Sequence, residues 1–183
     1  MIALAYSKEK KLASDTVVVT SMSNLGLTQA MKKTGIKVEI TDVGDRYVIE
    51  RMRAGGFNVG GEQSGHIIFT DYATTGDGIL SALHVLKLVK ETGLPLAELA
   101  GFMTVFPQKL NSFAVARKIP LTELTHLPAE VEACRAALGE SGRTVVRYSG
   151  TENKIRILVE AEKAEDVETW IGRLTAAANR ELN

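Results

Sequence analysis

A chain of 183 residues is long enough for one large domain or two small ones, each with a buried core. Lysine plus arginine (22) balances aspartate plus glutamate (22), so net charge gives no argument for a nucleic-acid or membrane partner. The only cysteine, Cys134, excludes an internal disulfide, and its helical apolar surroundings favour a buried, inert thiol. Because we find no signal-peptide pattern and no apolar run of membrane-spanning length, we expect a soluble cytoplasmic protein.

Strand and helix patterns alternate over the first part of the chain. Helices are predicted at Ile2–Lys11, Leu25–Thr34, after Asp42–Arg46 as far as Arg53, at Gly78–Glu91 and at Leu96–Gly101. Strands are predicted at Thr16–Thr20, Ile36–Thr41, Phe57–Val59 and Ile67–Phe69. Asp45 and either Thr75 or Asp77 are expected to cap helices, and Ile79, Leu83 and Leu86 to form the buried stripe of the fourth helix. This alternation of strands and helices predicts an α/β domain with a mixed, largely parallel sheet.

The pattern changes after Phe106-Pro107, where we place a domain boundary. Strands are predicted at Leu110–Arg117, Gly142–Tyr148 and Lys154–Glu160, and helices at Leu127–Leu138 and Ala164–Leu182. That order predicts a small α+β domain with its helices on one face of the sheet. The expected division is therefore residues 1–106 and residues 107–183. The chain opens inside a helical pattern without a cap, so we expect either that its start has been cut or that an upstream domain precedes it.

The most distinctive segment is Gly60–His66, between two apolar runs. Its glycines allow a sharp turn or a close approach to a ligand. Glu62 can accept hydrogen bonds from two neighbouring hydroxyls, Ser64 can donate or accept, and His66 can move a proton near neutral pH. That set can bracket a polyol. A hairpin loop that happens to carry polar residues is an equally open interpretation at this point.

A second candidate segment is Arg147–Asn153, between two predicted strands. The planar guanidinium of Arg147 matches a phosphate, and Ser149 and Thr151 offer hydroxyls at alternate positions. Gly150 is expected to let the backbone amides converge into an anion-binding nest. Lys154 and Arg156 add positive charge on the outgoing strand. The alternative is an exposed hairpin with ordinary cross-strand charges.

Neither the aspartates nor the remaining histidines predict a metal site. A Mg²⁺ site needs several acidic oxygens close together, and only Asp42 lies near Asp45. Asp71 and Asp77 suit turn and capping roles better than metal binding. His84, in a helix interior, and His126, beside a proline, favour packing or surface positions.

Four ordered motifs carry a family resemblance: Val43–Val48, Gly60–Ile67, Thr74–Gly78 and Arg147–Glu152. Together they resemble the C-terminal half of bacterial phosphoglucosamine mutases, members of the α-D-phosphohexomutase superfamily. The resemblance covers essentially the whole chain. It implies that residues 1–106 form the third, α/β domain of that family, and that residues 107–183 form its fourth, α+β domain, which resembles the TATA-binding-protein fold.

The resemblance also implies roles for individual residues. Gly61, Glu62 and Ser64 match a loop that grips the sugar hydroxyls, and His66 matches a histidine at the reacting end, a candidate proton carrier. Asp45 and Arg46 match a loop that orients the substrate. The loop that clamps the phosphate not being transferred is matched by Arg147, Ser149, Gly150 and Thr151, with Arg156 beside it. The family interconverts glucosamine 6-phosphate and glucosamine 1-phosphate, in peptidoglycan precursor synthesis, through a 1,6-bisphosphate.

The chain departs from the family pattern in two ways. Tyr148 and Asn153 stand where the family commonly has prolines, which puts the rigidity of that loop in question. No segment matches the family's phosphoserine loop or its Mg²⁺ loop, so the Mg²⁺ ligands are expected in N-terminal domains outside this chain. We therefore expect the isolated chain to be inactive. The resemblance leaves a homodimer open for the full-length enzyme. The alternatives are a stand-alone phosphosugar-binding module without catalysis, or a phosphomannomutase or phosphoglucomutase relative.

Overall fold

The computed structural model describes all 183 residues. They form two compact units, Met1–Val105 and Phe106–Asn183. None of the helices has the length and apolar character required to cross a membrane.

The first unit is built on a four-stranded sheet flanked by helices. Its strands are β1 (Thr16–Thr20), β2 (Lys37–Thr41), β3 (Val59–Gly61) and β4 (Ile67–Phe69). Its helices are α1 (Ile2–Lys8), α2 (Leu25–Lys33), α3 (Asp45–Gly55), α4 (Gly78–Thr92) and α5 (Leu96–Ala100). The strand order is β2-β1-β3-β4; β1 is parallel to both neighbours, and β4 is antiparallel to β3. The predicted mixed, largely parallel sheet is therefore confirmed.

Strand β1 is the centre of this unit, and all five of its residues are buried. Because successive side chains point to opposite faces of a sheet, Val17 and Val19 pack under α2, whereas Val18 packs against Val48 and Met52 of α3. The crossovers through α2 and α3 thus lie on opposite faces of the sheet. In such open sheets the carboxyl ends of the two strands at which the order reverses, here β1 and β3, frame a crevice.

The second unit is an antiparallel sheet with helices on one face. Its strands are β5 (Gln108–Ala114), β6 (Gly142–Tyr148) and β7 (Lys154–Ala161), in the order β5-β7-β6, and its helices are α6 (His126–Leu138) and α7 (Ala164–Leu182). Short 3-10 turns occupy Leu121–Glu123 and Gly139–Ser141 here, and Ala13–Asp15 in the first unit. The predicted α+β arrangement is confirmed, whereas the closer likeness to the TATA-binding-protein fold stays a prediction.

Cys134 lies in the core of the second unit and is fully buried. Burial raises the pKa of its thiol to about 11. The expectation of a buried, unreactive thiol agrees with this environment, because the thiolate is the reactive form.

Several predictions about the elements were wrong in detail, and three of them concern α1, β5 and α4. Helix α1 ends at Lys8, because the amides of Lys11 and Leu12 both turn back to the carbonyl of Tyr6. Strand β5 ends at Ala114 rather than Arg117, since the next amide, that of Val115, donates outside the ladder to the carbonyl of Asn153.

The third error concerns the buried stripe of α4. Ile79, Leu83 and Leu86 are 77%, 58% and 62% exposed, and the covered side of the helix carries Ser81 and His84 instead. Apolar residues occur on both sides of this helix, so periodicity alone did not identify the side that packs against α1 and β4.

Candidate functional site

The segment that joins β3 to β4 is a tight turn closed by its own backbone. The amide of Glu62 donates to the carbonyl of His66 at 3.0 Å, and the amide of Gly65 donates to the carbonyl of Glu62 at 3.1 Å. Gly65 has a φ of +94°, which a residue with a Cβ rarely adopts. The glycine in the turn is therefore a conformational requirement, and it brings the side chains of Glu62, Ser64 and His66 to one side.

Those three side chains meet at one imidazole nitrogen. Nδ1 of His66 lies 2.8 Å from Oγ of Ser64 and 3.2 Å from Oε1 of Glu62. The Glu62 side chain is only 11% exposed, whereas that of His66 is 58% exposed. Since Nδ1 is engaged from within the loop, Nε2 is the nitrogen that remains to exchange a proton with a bound molecule. The sequence predicted the residues of this cluster but not this arrangement.

Gly60 and Gly61 have a different role from the one predicted for them, because both lie inside β3 rather than in the turn. A Cβ built on Gly60 would lie 2.5 Å from Sδ of Met52 and 2.9 Å from Cγ1 of Val48. Gly60 therefore allows α3 to pack directly on β3. This packing fixes the strand that leads into Glu62.

Beside this loop the structure contains a cavity of about 270 Å³. It lies at the carboxyl ends of β1 and β3, the crevice expected at a point of strand-order reversal. Its walls are mainly apolar, and its polar lining consists of Ser23, Asn24, Glu62 and Gln63. Sequence reasoning missed Ser23, Asn24 and Gln63 as lining residues. The position of the first two, directly after β1, was the signal that could have identified them.

Asp45 and Arg46 are not brought to the turn by any contact in the structure. Asp45 is the first residue of α3 rather than its cap, which is Gly44, so the prediction of capping by Asp45 was wrong. Its Oδ1 accepts the amide of Arg46 at 2.8 Å, and Nε of Arg46 donates to Oε1 of Glu50, also at 2.8 Å. The cap residue is Gly44, which has a φ of +136° and no side chain, so α3 begins without a side-chain capping bond.

The acidic residues do not form a metal centre. Oδ1 of Asp77 caps α4 by accepting the amide of Leu80 at 2.9 Å, and Oδ2 of Asp71 accepts from Asn58 at 2.7 Å. No group of three or more histidine, cysteine, aspartate or glutamate side chains is placed to hold a metal ion. The residues of this chain thus do not fit a Mg²⁺ site.

The second unit presents two arginines side by side at the ends of β6 and β7. Arg147 is paired directly opposite Arg156, so both side chains lie on the same face of the sheet. Like charges in such a pair are destabilising. The carboxylate of Glu152, in the loop between these strands, is bound to Lys154 at 2.6 Å, and neither guanidinium forms a hydrogen bond or ion pair. Two half-buried guanidiniums at this point can act as an anion site.

The loop between these strands carries free backbone donors, but not in the predicted form. The amide of Ser149 donates to the carbonyl of Lys154 at 2.8 Å, so it cannot also donate to a ligand. The next four amides, those of residues 150–153, donate to no protein acceptor. No residue of this loop has a positive φ. The donors are therefore offered by a succession of bends rather than by a nest in which right- and left-handed residues alternate.

Sequence reasoning missed two groups that hold this loop. Nζ of Lys118 donates to the carbonyl of Ser149 at 2.7 Å, across 31 positions of sequence. The hydroxyl of Tyr148 donates to the carbonyl of Ile119 at 2.6 Å. Nothing in the local pattern around Lys118 distinguishes it from other surface lysines, so only the three-dimensional contact could identify it.

Comparison with known proteins identifies the family to which this chain belongs. Residues 1–106 match the model of the phosphoglucomutase/phosphomannomutase alpha/beta/alpha domain III. Residues 97–177 match the model of the phosphoglucomutase/phosphomannomutase C-terminal domain. The chain belongs to the phosphoglucomutase/phosphomannomutase family. The turn at Glu62 and the loop at Arg147 fall in these two matched regions, respectively.

Curated relatives of this phosphohexomutase chain are phosphoglucosamine mutases. The protein from Oceanobacillus iheyensis is 49% identical over 171 residues, which cover 93% of this chain and 38% of the relative. The protein from Frankia alni is 50% identical over 180 residues, which cover 98% of this chain and 40% of the relative. The chain thus spans about 40% of the length of the curated relatives that it matches.

Solved structures show the same fold at lower identity. A serine-to-alanine variant of Aspergillus fumigatus N-acetylphosphoglucosamine mutase, in complex with glucose 1,6-bisphosphate, aligns with a TM-score of 0.77 and 23% identity, over 100% of this chain and 43% of that one. The complex of the fungal enzyme with GlcNAc-6P and magnesium aligns with a TM-score of 0.78 and 20% identity, over the same shares of both chains. These likenesses establish the phosphohexomutase fold of both units.

Proposed function

We propose that this chain is the substrate-binding C-terminal part of a phosphoglucosamine mutase, in which residues 1–106 hold the sugar and residues 107–183 hold a phosphate. The whole enzyme would interconvert glucosamine 6-phosphate and glucosamine 1-phosphate through a 1,6-bisphosphate. The observation that carries this proposal is the 49–50% identity to phosphoglucosamine mutases over nearly the full chain. The chemistry of each loop, taken by itself, is consistent with it.

The turn after β3 has the chemistry of a sugar grip. In this proposal the Glu62 carboxylate and the Ser64 hydroxyl hydrogen-bond to neighbouring ring hydroxyls, and Gly61 lets the sugar approach the backbone. His66 is the candidate catalytic residue: Nδ1 is held by Ser64 and Glu62, and Nε2 carries a proton to or from the reacting oxygen. Asp45 and Arg46 orient the substrate, for which Arg46 has to leave Glu50.

The loop after β6 has the chemistry of a phosphate clamp. Arg147 and Arg156 supply the charge, and the amides of Gly150 and Thr151 supply directional donors together with the hydroxyls of Ser149 and Thr151. Two charge-assisted hydrogen bonds contribute about 1.5–3 kcal/mol each. On that scale the clamp alone binds a phosphate with a dissociation constant of about millimolar.

The phosphoryl transfer itself is assigned to a part of the enzyme outside this chain. The acidic residues described above do not fit Mg²⁺, so no step through the metal is derived from them. The partners proposed for this chain are the phosphosugar and the N-terminal domains that account for the remaining length of the relatives. We further propose that the enzyme acts in the cytoplasm, where its sugar phosphates occur, and that the isolated chain binds ligand without turning it over.

Calorimetry with glucosamine 1,6-bisphosphate tests this proposal. The chain is expected to bind the ligand, and Arg147→Ala is expected to weaken binding about tenfold or more, because a charge-assisted hydrogen-bond donor is removed. Arg135→Ala is the matched control, since Arg135 is exposed and paired with Glu132 on the surface of α6. Equal affinity of the Arg147→Ala and Arg135→Ala variants would show that the loop is not the clamp.

A coupled assay with glucosamine 6-phosphate, Mg²⁺ and the bisphosphate tests the assignment of catalysis. The pure chain is expected to show no turnover. Turnover would contradict the proposal that the phosphoryl donor lies elsewhere. A protein that binds the bisphosphate and belongs to a coding sequence without the serine and aspartate loops upstream would instead be a phosphosugar-binding module.

A further inference from the structure

The loop that joins β6 to β7, residues 149–153, is called the phosphate-clamp loop below. It is attached to one neighbouring segment, residues 115–119, which follows β5. Three hydrogen bonds make this attachment. The amide of Val115 donates to the carbonyl of Asn153 at 3.0 Å, Nζ of Lys118 donates to the carbonyl of Ser149 at 2.7 Å, and the hydroxyl of Tyr148 donates to the carbonyl of Ile119 at 2.6 Å. The loop is thus held at its first residue, at its last residue and at the strand residue before it.

The bond from Lys118 has a consequence that follows from peptide geometry. The carbonyl of Ser149 and the amide of Gly150 belong to one planar trans peptide, so they point in opposite directions. An ammonium group bound to that oxygen therefore directs the N–H of Gly150 to the other side. Gly150 is the first of the four amides that donate to no protein acceptor.

The same bond also alters the strength of that donor. Hydrogen bonds in a chain polarise one another, and a charged donor polarises its acceptor more than a neutral one does. An ammonium on the Ser149 oxygen draws electron density from the peptide and makes the Gly150 amide a better donor to an anion. The positive charge of Lys118 itself adds to that of Arg147 and Arg156.

Tyr148 holds the segment that carries Lys118. Its ring packs against the helical core of the second unit, and its hydroxyl fixes Ile119, the residue next to Lys118. Burial raises the pKa of Tyr148 above its ordinary value of 10.0. The phenol therefore stays a hydrogen-bond donor throughout the neutral range.

We propose that Lys118 is a positioning residue of the phosphate clamp, which aims and polarises the Gly150 amide through the Ser149 carbonyl, and that Tyr148 keeps Lys118 in place through Ile119. This inference rests on the proposed function, because it assumes that the loop binds a phosphate. It adds a residue that contacts the loop backbone to those that contact the ligand.

Titration of the 183-residue chain with inorganic phosphate, followed by the amide resonances of residues 150–153, tests this proposal. Lys118→Met is expected to weaken phosphate binding about fivefold, the effect of one hydrogen bond together with a nearby charge. Lys163→Met is the matched control: Lys163 is exposed, lies beyond the opposite end of β7, and its replacement removes the same charge. The control is expected to change binding less than about twofold.

Three further readouts separate positioning from charge and from folding. Lys118→Arg is expected to recover most of the affinity, since a guanidinium can also donate to the Ser149 carbonyl. Tyr148→Phe, which keeps every charge, is expected to weaken binding about two- to threefold. In the ligand-free chain the Gly150 amide proton is expected to shift upfield in Lys118→Met and to stay unchanged in Lys163→Met. Trp170 fluorescence confirms that each variant is folded, because that ring lies in the core of the same unit.

Two outcomes would overturn the inference and leave the proposed function intact. One is phosphate affinity in Lys118→Met within about twofold of Lys163→Met, while Arg147→Ala is clearly weakened. The other is an unshifted Gly150 resonance in Lys118→Met. If Arg147→Ala instead binds phosphate as the unmodified chain does, the loop is not a phosphate clamp, and both proposals fall together.

Discussion

The second unit contains a buried ion pair whose removal should be measurable with little ambiguity. Arg143 and Glu160 lie opposite each other on β6 and β7, and Nε of Arg143 is 2.6 Å from Oε2 of Glu160. The Glu160 side chain is fully buried, and that of Arg143 is 20% exposed. We predict that Arg143→Met strongly destabilises this unit, because it removes the paired cation from a carboxylate that water does not reach.

The expected magnitude follows from the desolvation of that carboxylate. Breaking a buried pair on one side costs about 3–5 kcal/mol. Arg143 leaves a partly exposed path through which water can reach Glu160 in the variant, so we expect the lower end, about 3 kcal/mol. For a unit of this size, 1 kcal/mol shifts the melting temperature by about 4–8 °C. The predicted loss is therefore about 12–24 °C.

The only tryptophan makes the assay specific to this unit. Trp170 lies in α7, in the core of the second unit, so urea denaturation followed by its fluorescence reports the unfolding of that unit alone. Arg135→Met is the control, because its pair with Glu132 is exposed on both sides, and such pairs contribute about 0–1 kcal/mol.

A double-mutant cycle supplies the result that could refute this reasoning. Arg143→Met combined with Glu160→Leu replaces both charges by apolar groups, and such replacements of buried pairs are often neutral. The double variant should therefore recover most of the stability that Arg143→Met loses. A loss below about 1 kcal/mol in Arg143→Met, or a double variant no more stable than Arg143→Met, would show that burial of the carboxylate without Arg143 is not the cause.

Two further predictions concern the packing of β3 and the start of α6. Gly60→Ala should destabilise the first unit by about 1–3 kcal/mol, because the new Cβ would lie 2.5 Å from Sδ of Met52. Native-state hydrogen exchange of the β1 amides measures this loss of stability. Gly78→Ala is the control and should show no such loss, because a Cβ at Gly78 would have no atom within 4 Å. The Glu181 carboxylate accepts three amides at the start of α6; burial raises its pKa, but these bonds outweigh burial and lower it below 4.5. The stabilisation by the ionised Glu181 carboxylate is therefore present above that pH and is lost as the pH falls. Glu181→Gln should lower the free energy of unfolding by about 0.5–2 kcal/mol at about pH 7 and by much less at about pH 3. An equal loss at both pH values would contradict the capping role.

The elements that the sequence predicted best are those whose signals are local. Strand β1 was predicted to the residue, because a run of β-branched residues between polar ones has few alternative structures. Asp77, one of the two residues predicted to cap α4, is its cap, and Gly56, in the left-handed region at +66°, ends α3. Each of these features depends on the conformational preference of one or a few neighbouring residues.

Features that depend on distant partners were not predictable in this way. The role of Gly60 depends on α3 lying over β3, and only the fold brings Met52 to that glycine. The exposed side of α4 depends on which neighbours cover it, since its apolar residues point in several directions. Of the candidate site, the residue types of the Glu62 turn were predictable, but the convergence of Ser64 and Glu62 on a single nitrogen of His66 was not.

The family resemblance implies prolines where this chain has Tyr148 and Asn153, and we expect that difference to change how the Arg147–Asn153 loop is held rather than what it presents. A proline at a compatible position stabilises by about 0.4–1 kcal/mol, through the lower conformational entropy of the unfolded chain. The hydrogen bond from Tyr148 to Ile119 contributes about 0.5–1.5 kcal/mol, the same scale, but acts only in the folded state. A bond of this kind also links the loop to the segment that carries Lys118. The loop is thereby ordered by a contact that a proline could not make, and its rigidity is expected to depend on that segment.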